Sequence, residues 1–411
     1  MSRIDDLIAQ FCPDGVEYKA IGDFGELVRG NGMPKSDFVK SGVGCIHYGQ
    51  IYTYYGIWTT ETISFVSSEK SERLAKVDPG DLIITNTSEN IDDVCKAVAW
   101  IGDAQIVTGG HATVLKHNQD PKYLSYYMQT QHFFSEKKKH TTGTKVVDVS
   151  AKNLAKIMIP VPPLEVQREI VKVLDTFTKL QAELQAELQA ELQARSRQYT
   201  YYRDALLAFK DQKIRWTSMS EVGEFFRGRR FTKNDFDAEG VACIHYGDIY
   251  TQYGTAATET VSRVRSDMVS TLRFAKPGDL VIAGVGETVE DVGKAVAWLG
   301  DGEAAIHDDC FVFRHSLNPK FVSYYFQTAA FHAEKNKFVA RAKVKRLSGD
   351  SLGKLAIPIP LVEKQDRIVA ILDKFDALVN DLSSGLPAEI KARRQQYEHY
   401  RDRLLSFREA A

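Results

Sequence analysis

Apolar positions recur on a four-residue step through Leu180-Gln-Ala-Glu-Leu-Gln-Ala-Glu-Leu-Gln-Ala-Glu-Leu192, with Leu180, Leu184, Leu188 and Leu192 separated by Ala182, Ala186 and Ala190. A step of four overshoots one helical turn by about 40°, so the four leucines stay within roughly 120° of arc. Ile170, Val173, Leu174 and Phe177 lead into this stripe, and Tyr199, Tyr202, Leu206 and Phe209 continue it at helical spacing. Leu, Gln, Ala and Glu are strong helix formers, and no Gly or Pro interrupts the stretch from Glu165 to Phe209. The pattern predicts a single helix over these 45 residues, a rod of about 68 Å. Such a rod cannot bury its own stripe and needs a partner helix.

Before the rod the pattern changes to short apolar runs. Val43-Gly-Cys-Ile-His-Tyr, Asp81-Leu-Ile-Ile-Thr, Lys96-Ala-Val-Ala-Trp-Ile and His111-Ala-Thr-Val-Leu-Lys each read as a strand. Pro121 to about Phe134 has helical spacing through Tyr123, Leu124, Tyr127, Met128 and Phe133. A basic, Gly-containing loop, Lys137 to Lys145, follows. A short strand around Ile157 then meets Pro160, Pro162 and Pro163, which end it and introduce the rod.

The whole order then repeats. CIHYGQIYTYYG from Cys45 returns as CIHYGDIYTQYG from Cys243, ten of twelve residues being identical. PGDLIITNTSENIDDVCKAVAWIGD from Pro79 returns as PGDLVIAGVGETVEDVGKAVAWLGD from Pro277 with fifteen of twenty-five identical. IPVPPLEVQREI from Ile159 matches IPIPLVEKQDRI from Ile357, and RSRQYTYYRDALLAF from Arg195 matches RRQQYEHYRDRLLSF from Arg393. Every offset is 198 residues, so the halves align without a gap. A period this long excludes a solenoid and gives a duplicated unit of globular domain plus long helix. The boundaries expected are 1–160, a first strand-rich domain; 161–211, a central spacer helix; 212–358, a second domain; and 359–411, a C-terminal spacer helix. The counterpart of the tetrad tract contains Gly385 and Pro387, so the second rod is expected to break there and restart with Ser384 at or near the cap.

Net charge is −1 over 411 residues, which excludes a polycation gripping nucleic acid by bulk charge alone. The five cysteines form no CxxC pair and no zinc spacing, and Cys45 and Cys243 fall at equivalent apolar strand positions as small buried hydrophobes. No signal peptide opens the chain and no run of about 18 apolar residues could span a bilayer, so a cytoplasmic protein is expected.

No catalytic constellation emerges. There is no Walker A loop, Gly284-Val-Gly286 lacks the third glycine of a dinucleotide fingerprint, and no Asn-Pro-Pro-aromatic sequence of the amino-methyltransferase kind occurs. His47 and His245 each stand alone among apolar neighbours, which favours a hydrogen-bonding role over metal ligation. Asp92, Asp93, Glu290 and Asp291 read as loop and cap carboxylates.

Cations at matching places carry more information. Arg29 and Lys35 precede the first His-Tyr-Gly segment, and Arg227, Arg229, Arg230 and Lys233 precede its copy. The first basic loop holds Lys137, Lys138, Lys139, Thr142 and Lys145; the second holds Lys335, Arg341, Lys343, Lys345 and Arg346. Phosphate contacts need such cations, and Thr142 and Gly143 allow close backbone approach. Tyr48, Gln50, Tyr54, Asp248 and Gln252 can reach base edges, with turn and core packing the plainer role.

A duplicated domain followed by Ile-Pro-x-Pro, a Gln-Arg or Gln-Asp-Arg helix start and a Tyr-Tyr-Arg-Asp-x-Leu-Leu-x-Phe helix end, with His-Tyr for Tyr-Tyr in the second copy, resembles the specificity subunit of type I restriction–modification enzymes. The resemblance covers essentially the whole chain, and the Leu-Gln-Ala-Glu tract resembles the subgroup with a tetrapeptide-repeat spacer. It implies an α+β fold: two strand-rich target recognition domains in pseudo-twofold repeat, joined by two long helices forming an antiparallel coiled coil. It also implies a non-catalytic subunit that reads a bipartite site in double-stranded DNA. Two methyltransferase subunits and restriction/translocase subunits would be its partners, and these would bind S-adenosylmethionine, ATP and magnesium. One departure stands out: the halves of many such subunits differ strongly, whereas these are close copies. The competing readings are a stand-alone tandem DNA-binding regulator and a nuclease built on an acidic cluster.

Overall fold

The computed structural model describes residues 3–143, 145–209, 213–340, 343–380 and 385–410. It divides into two compact units, residues 1–186 with 390–411 and residues 187–389.

In the first unit a five-stranded sheet runs in the order Gly25–Arg29, Ala112–His117, Leu82–Thr85, Ala97–Trp100, Trp58–Thr59. A second five-stranded sheet runs Phe38–Val39, Ser64–Val66, Val43–Ile46, Ile106–Thr108, Ala75–Val77. The central strands are buried on both faces because alternate residues serve two cores. Leu82, Ile84, Ala97, Ala99 and Leu115 pack on Tyr123, Leu124, Ile170 and Leu174 of the helical layer. Ile83, Val98, Trp100 and Val114 pack on Ile46 of the second sheet and on Ile51 of the short helix Tyr48–Thr53 that follows it. A ribbon of Tyr18–Ala20 with Met158–Pro160 closes the domain next to the start of the central helix.

The second unit keeps this order: Gly223–Arg227, Cys310–His315, Leu280–Ala283, Ala295–Trp298, Ala256–Ala257 in one sheet, and Ser262–Val264, Phe236–Ile244, Ala304–Ile306, Phe274–Ala275 in the other. Cys45 and Cys243 are fully buried in equivalent strands, as their apolar neighbours predict. Both domains are thus mixed α and β, in the arrangement expected.

The central helix spans Leu164–Ala208, one residue from the predicted bounds at each end. Gln167 and Gln365, the amides of the two helix starts, are buried and lock the corners. Gln167 accepts the Asp120 N–H at 2.9 Å and donates to the Pro162 carbonyl at 2.7 Å; Gln365 does the same with Asn318 at 2.8 Å and Pro360 at 2.9 Å. The aspartates of the helix ends act as remote caps: Asp402 accepts the Gln131 N–H at 3.0 Å, and Asp204 accepts the Ala329 N–H at 3.2 Å.

Within the first unit, Thr178 and Tyr397 share a 2.8 Å hydroxyl hydrogen bond, and Phe177, Leu180 and Leu184 line a cleft with Tyr397 and Tyr400. Within the second, Tyr202 stacks on Phe375 at 5.6 Å, and Leu192 packs against the core that includes Val379. The chain leaves the first unit along the central helix and returns to it along the second helical pass, which gives the antiparallel order. That second pass is two helices, Val362–Asn380 and Leu386–Leu404, so the break predicted from Gly385 and Pro387 is present. The capping role expected of Ser384 lies outside the described residues.

Two expectations are corrected. The helix read from Pro121 to about Phe134 is two helices, Pro121–Tyr127 and Gln131–Lys139. Thr130 separates them, its hydroxyl donating to the Tyr127 carbonyl at 2.7 Å and accepting the Phe133 N–H at 3.2 Å. The strand read through His47-Tyr48 stops at Ile46, because His47 caps a new helix.

Candidate nucleic-acid interface

The short helix Tyr48–Thr53 begins where the strand Val43–Ile46 ends, and its start is held from both sides. His47 Nδ1 accepts the Gly49 N–H at 3.1 Å, while Gln50 Oε1 accepts the His47 N–H at 2.9 Å. In the copy, His245 Nδ1 accepts the Gly247 N–H at 3.1 Å and Asp248 accepts the His245 N–H at 3.3 Å. Burial foremost, then neighbouring Lys35 and His111, holds the His47 pKa below its ordinary value; burial and His307 do the same for His245. A neutral imidazole is what an accepting nitrogen requires. Both histidines therefore have the hydrogen-bonding role expected of them. Gln50 is corrected as a base reader, its amide being taken by the cap and by Ser64, to which it donates at 2.6 Å, while Asp248 gives one carboxylate oxygen to its cap.

The helix faces the tips of neighbouring strands. Tyr52 donates to the Thr87 carbonyl at 2.7 Å, and Thr87 Oγ1 lies 2.9 Å from His111 Nδ1. The half-buried Tyr48 ring sits 5.0 Å from that of His111. His111 itself is exposed and has φ 66°, a left-handed conformation that costs a non-glycine residue energy and clusters at functional sites. Thr87–Ser88 pairs antiparallel with Val147–Asp148, and Thr142 bridges back to Asp148 by two backbone hydrogen bonds of 2.9 and 2.8 Å. The exposed Thr142 and Lys145 thus sit on a turn held against the His111 group, with exposed Lys138 and Lys139 at the end of the helix leading into it. Lys139 is ion-paired to Glu136 at 2.6 Å. Arg29 ends its strand opposite Thr113 and is exposed, as is Lys35.

Lys137 and Lys335 do not belong with these cations. Both are buried: Lys137 Nζ donates to the carbonyls of Asp92 at 2.8 Å and Val94 at 2.7 Å, and Lys335 Nζ to those of Glu290 at 2.9 Å and Val292. Burial lowers the Lys137 pKa and pushes that of Lys335 down to about 8. The expectation that they meet phosphate is corrected, since an ammonium sealed onto two carbonyls is not presented to a ligand. They are struts that fix the helix ahead of each basic turn.

The second domain rebuilds the arrangement with different chemistry. Tyr250 donates to the Val285 carbonyl, and Val285–Gly286 pairs with Lys345–Arg346. Where the first domain has Gly109-Gly110-His111, the second has His307-Asp308-Asp309. Arg227 donates to the Asp308 carbonyl and lies 3.7 and 3.8 Å from the Asp308 and Asp309 carboxylates, while Arg346 lies 3.7 Å from Asp309. His307, Asp308 and Asp309 bring three potential ligand atoms within 4.8 Å of one another. Both His307 ring nitrogens are engaged, however, at 3.0 Å from the Phe231 carbonyl and 3.1 Å from the Asp309 N–H. His307 is thus a hydrogen-bonded anchor, while the Asp308 and Asp309 carboxylates are ion-paired with Arg227 and Arg346 at longer than hydrogen-bond distance.

Arg229, Arg230, Lys233 and Lys343 are exposed, Lys345 is half-buried in its strand, and Arg341 lies outside the described residues. Gln252 and Tyr54 occupy the same C-terminal position of the two short helices and are both exposed. Sequence reasoning missed Tyr52, His111, Asp308 and Asp309, whereas Thr87 lies in the strand-end stretch Thr85 to Asn90 that differs from its copy Ala283 to Thr288. One signal was available: residues 109–111 and 307–309 differ completely between halves that otherwise align closely.

A family model described as the type I restriction modification DNA specificity domain matches residues 13–194 and again 214–392. A putative type I restriction enzyme specificity subunit of Haemophilus influenzae is 32% identical over 306 residues, covering 72% of this chain and 75% of its own length. The specificity subunit of the type I restriction enzymes EcoR124I and EcoR124II of Escherichia coli is 30% identical, covering 61% of this chain and 63% of its own. A chain solved in a study of complex assembly and conformational transition of the type I restriction–modification system superposes with a TM-score of 0.72 over 96% of this chain and 98% of that one, at 17% identity. The HsdS subunit of Thermoanaerobacter tengcongensis gives 0.54 at 16% identity, over 96% of each chain. Two domains, each followed by its helix and each matched by the same model, make this chain a member of the type I restriction–modification specificity subunit family.

Proposed function

We propose that this chain is the DNA-reading subunit of a type I restriction–modification complex and catalyses nothing itself. The observation that carries the reading is the recurrence, in two domains of a chain from this family, of one assembly: a capped tyrosine-bearing helix, a strand tip and a basic turn locked together. Each domain reads one half of a split site. Lys138, Lys139, Lys145 and Arg29 in the first, and Arg229, Arg230, Lys233 and Lys343 in the second, take phosphate; Tyr54, Thr87 and His111, and in the second Gln252, Asp308 and Asp309, face bases.

Two methyltransferase subunits and the restriction/translocase subunits bring S-adenosylmethionine, ATP and magnesium, and close around the duplex. That closure supplies electrostatic grip, which a chain of net charge −1 cannot supply alone. No helix of the described residues is long and apolar enough to cross a membrane, in keeping with a cytoplasmic complex. The test is reconstitution with the methyltransferase subunit, followed by mapping of modified adenines. A split site modified only when this chain is present supports the proposal; binding of the chain to its site without any enzyme partner would favour the stand-alone regulator.

A further inference from the structure

The two units differ at one place where the repeat makes them comparable. In the first unit the N-terminal helix Arg3–Phe11 lies on the helical layer, with Ile4 buried in the core beside Ile170, Val171 and Leu405, and Leu7 and Ile8 packed on it. These three apolar residues sit at i, i+3 and i+4, one face of a helix. Arg3 lies 3.6 Å from Glu169, and the same helix borders Ser406 and Phe407 at the C-terminal end of the last helix. Shifted by 198 residues, Glu169, Ser406 and Phe407 become Arg367, Ala208 and Phe209. Those residues line an open cavity of about 1010 Å³ in the second unit, with Leu206, Leu361, Ile368 and Ile371. Among the described residues none fills it. Leu361 is 78% exposed, Val362 58% and Ile371 37%, whereas their equivalents Pro163, Leu164 and Val173 are only half-exposed or less beneath the N-terminal helix.

From this we infer that the second-unit groove is a docking site for one amphipathic helix of another protein chain, bearing two or three apolar residues at i, i+3 and i+4 and a carboxylate where the N-terminal helix carries Arg3. The first unit demonstrates the shape of the occupant, because its own equivalent groove holds such a helix. The lining also holds Asp204, already engaged by the Ala329 N–H and Arg203, and Glu363, which matches Glu165 of the first unit, so the charge that differs between the grooves is cationic. Glu169 is replaced by Arg367 and the buried Val166 by Lys364, whose ammonium lies 5.3 Å over the Phe209 ring. The occupant is therefore not the N-terminal helix of a second copy, whose Arg3 would meet Arg367. The groove and the basic turns use different residues, so this inference stands or falls separately from the DNA-reading proposal.

The probes are two labelled, helix-stabilised peptides with the sequence of residues 1–11, one native and one carrying Arg3→Glu, titrated without DNA against the full chain by fluorescence anisotropy. The inverted peptide should bind at least about fivefold more tightly than the native one, the gain of exchanging one repulsive for one attractive contact. Arg367→Glu in the full chain should reverse that preference, and Ile371→Asp, a change at an exposed position, should abolish binding of both. Binding no better than a scrambled peptide, or a preference unaltered by Arg367→Glu, overturns the inference. So does a full chain that dimerises in sedimentation while Ile371→Asp is monomeric, because the occupant would then be a second copy.

Discussion

Lys137 and Lys335 show how one residue type serves opposite ends within a single loop. Sequence alone groups them with the cations around them, since nothing local distinguishes a lysine that turns inward; only the tertiary contact with carbonyls some 43 to 45 residues away does. Lys335→Met should cost about 1–3 kcal/mol in denaturant titrations by leaving two buried carbonyls unpaired, and leave the salt dependence of DNA binding unchanged. Lys145→Ala or Lys343→Ala should do the reverse: no measurable loss of stability, weaker binding to specific and nonspecific DNA alike, and a salt slope about one unit smaller. His117 and His315 give the residue scale its pH dependence. They occupy equivalent strand ends, burial pushes each down to about 4, and the Nε2 of each has no hydrogen-bond partner. A histidine depressed from 6.5 to about 4 is protonated in the unfolded chain first, so folding stability is full above pH 6.5 and falls as pH drops toward 4. Substituting both by Gln should flatten stability against pH in that window; an equally steep acid loss would place its cause elsewhere.

At the scale of elements, periodicity was informative where an element is long and uninformative where a side chain competes with the backbone. The central helix is legible because nothing in 45 residues interrupts its propensity. The division of Pro121–Lys139 is not, since Thr130 gives no sign in the sequence of which carbonyl its hydroxyl will take. The short helix after His47 was hidden for the same reason, its start depending on an imidazole used as a cap. The helix-end motifs were legible as repeats but not as devices; Gln167 and Gln365 prove to be corner locks, and Asp204 and Asp402 remote caps. The tetrad tract leads to a prediction at this scale. Removing Leu184 to Glu187 shortens a continuous helix by about 6 Å and rotates its end by roughly 40°, while each remaining leucine still follows another by four. The deletion should cost little stability, and with DNA rising about 3.4 Å per base pair the gap between half-sites should shrink by one or two base pairs. Modified adenines mapped with the deleted form would show it; unchanged spacing would reduce the tract to a tether.

For the whole molecule the duplication was the most legible property, because an offset of 198 residues without a gap needs no structure to be seen. What it leaves open is how far the two reading surfaces have diverged, and here the domains separate into a shared frame and a private tip. The frame is common: the same strand order, the same capping histidines, the same buried lysine struts. The tip is not. Exposed His111 with Thr87 in one domain faces the same way in the fold as Asp309 with Arg227 and Arg346 in the other, and Thr85-Asn-Thr-Ser-Glu-Asn90 is replaced by Ala283-Gly-Val-Gly-Glu-Thr288. On the reading proposed above, one repeated domain meets each half of the site, and a near-palindromic target would mirror that repeat. The two half-sites should therefore share most of their bases when read on opposite strands and differ at one or two positions. Exchanging the tip alone, Gly109-Gly110-His111 for His-Asp-Asp with Arg29 retained, should move the first half-site toward the second without altering the gap. Two unrelated half-sites in the mapped target, or a tip exchange that destroys binding without redirecting it, would mean that the reading residues lie elsewhere on these domains.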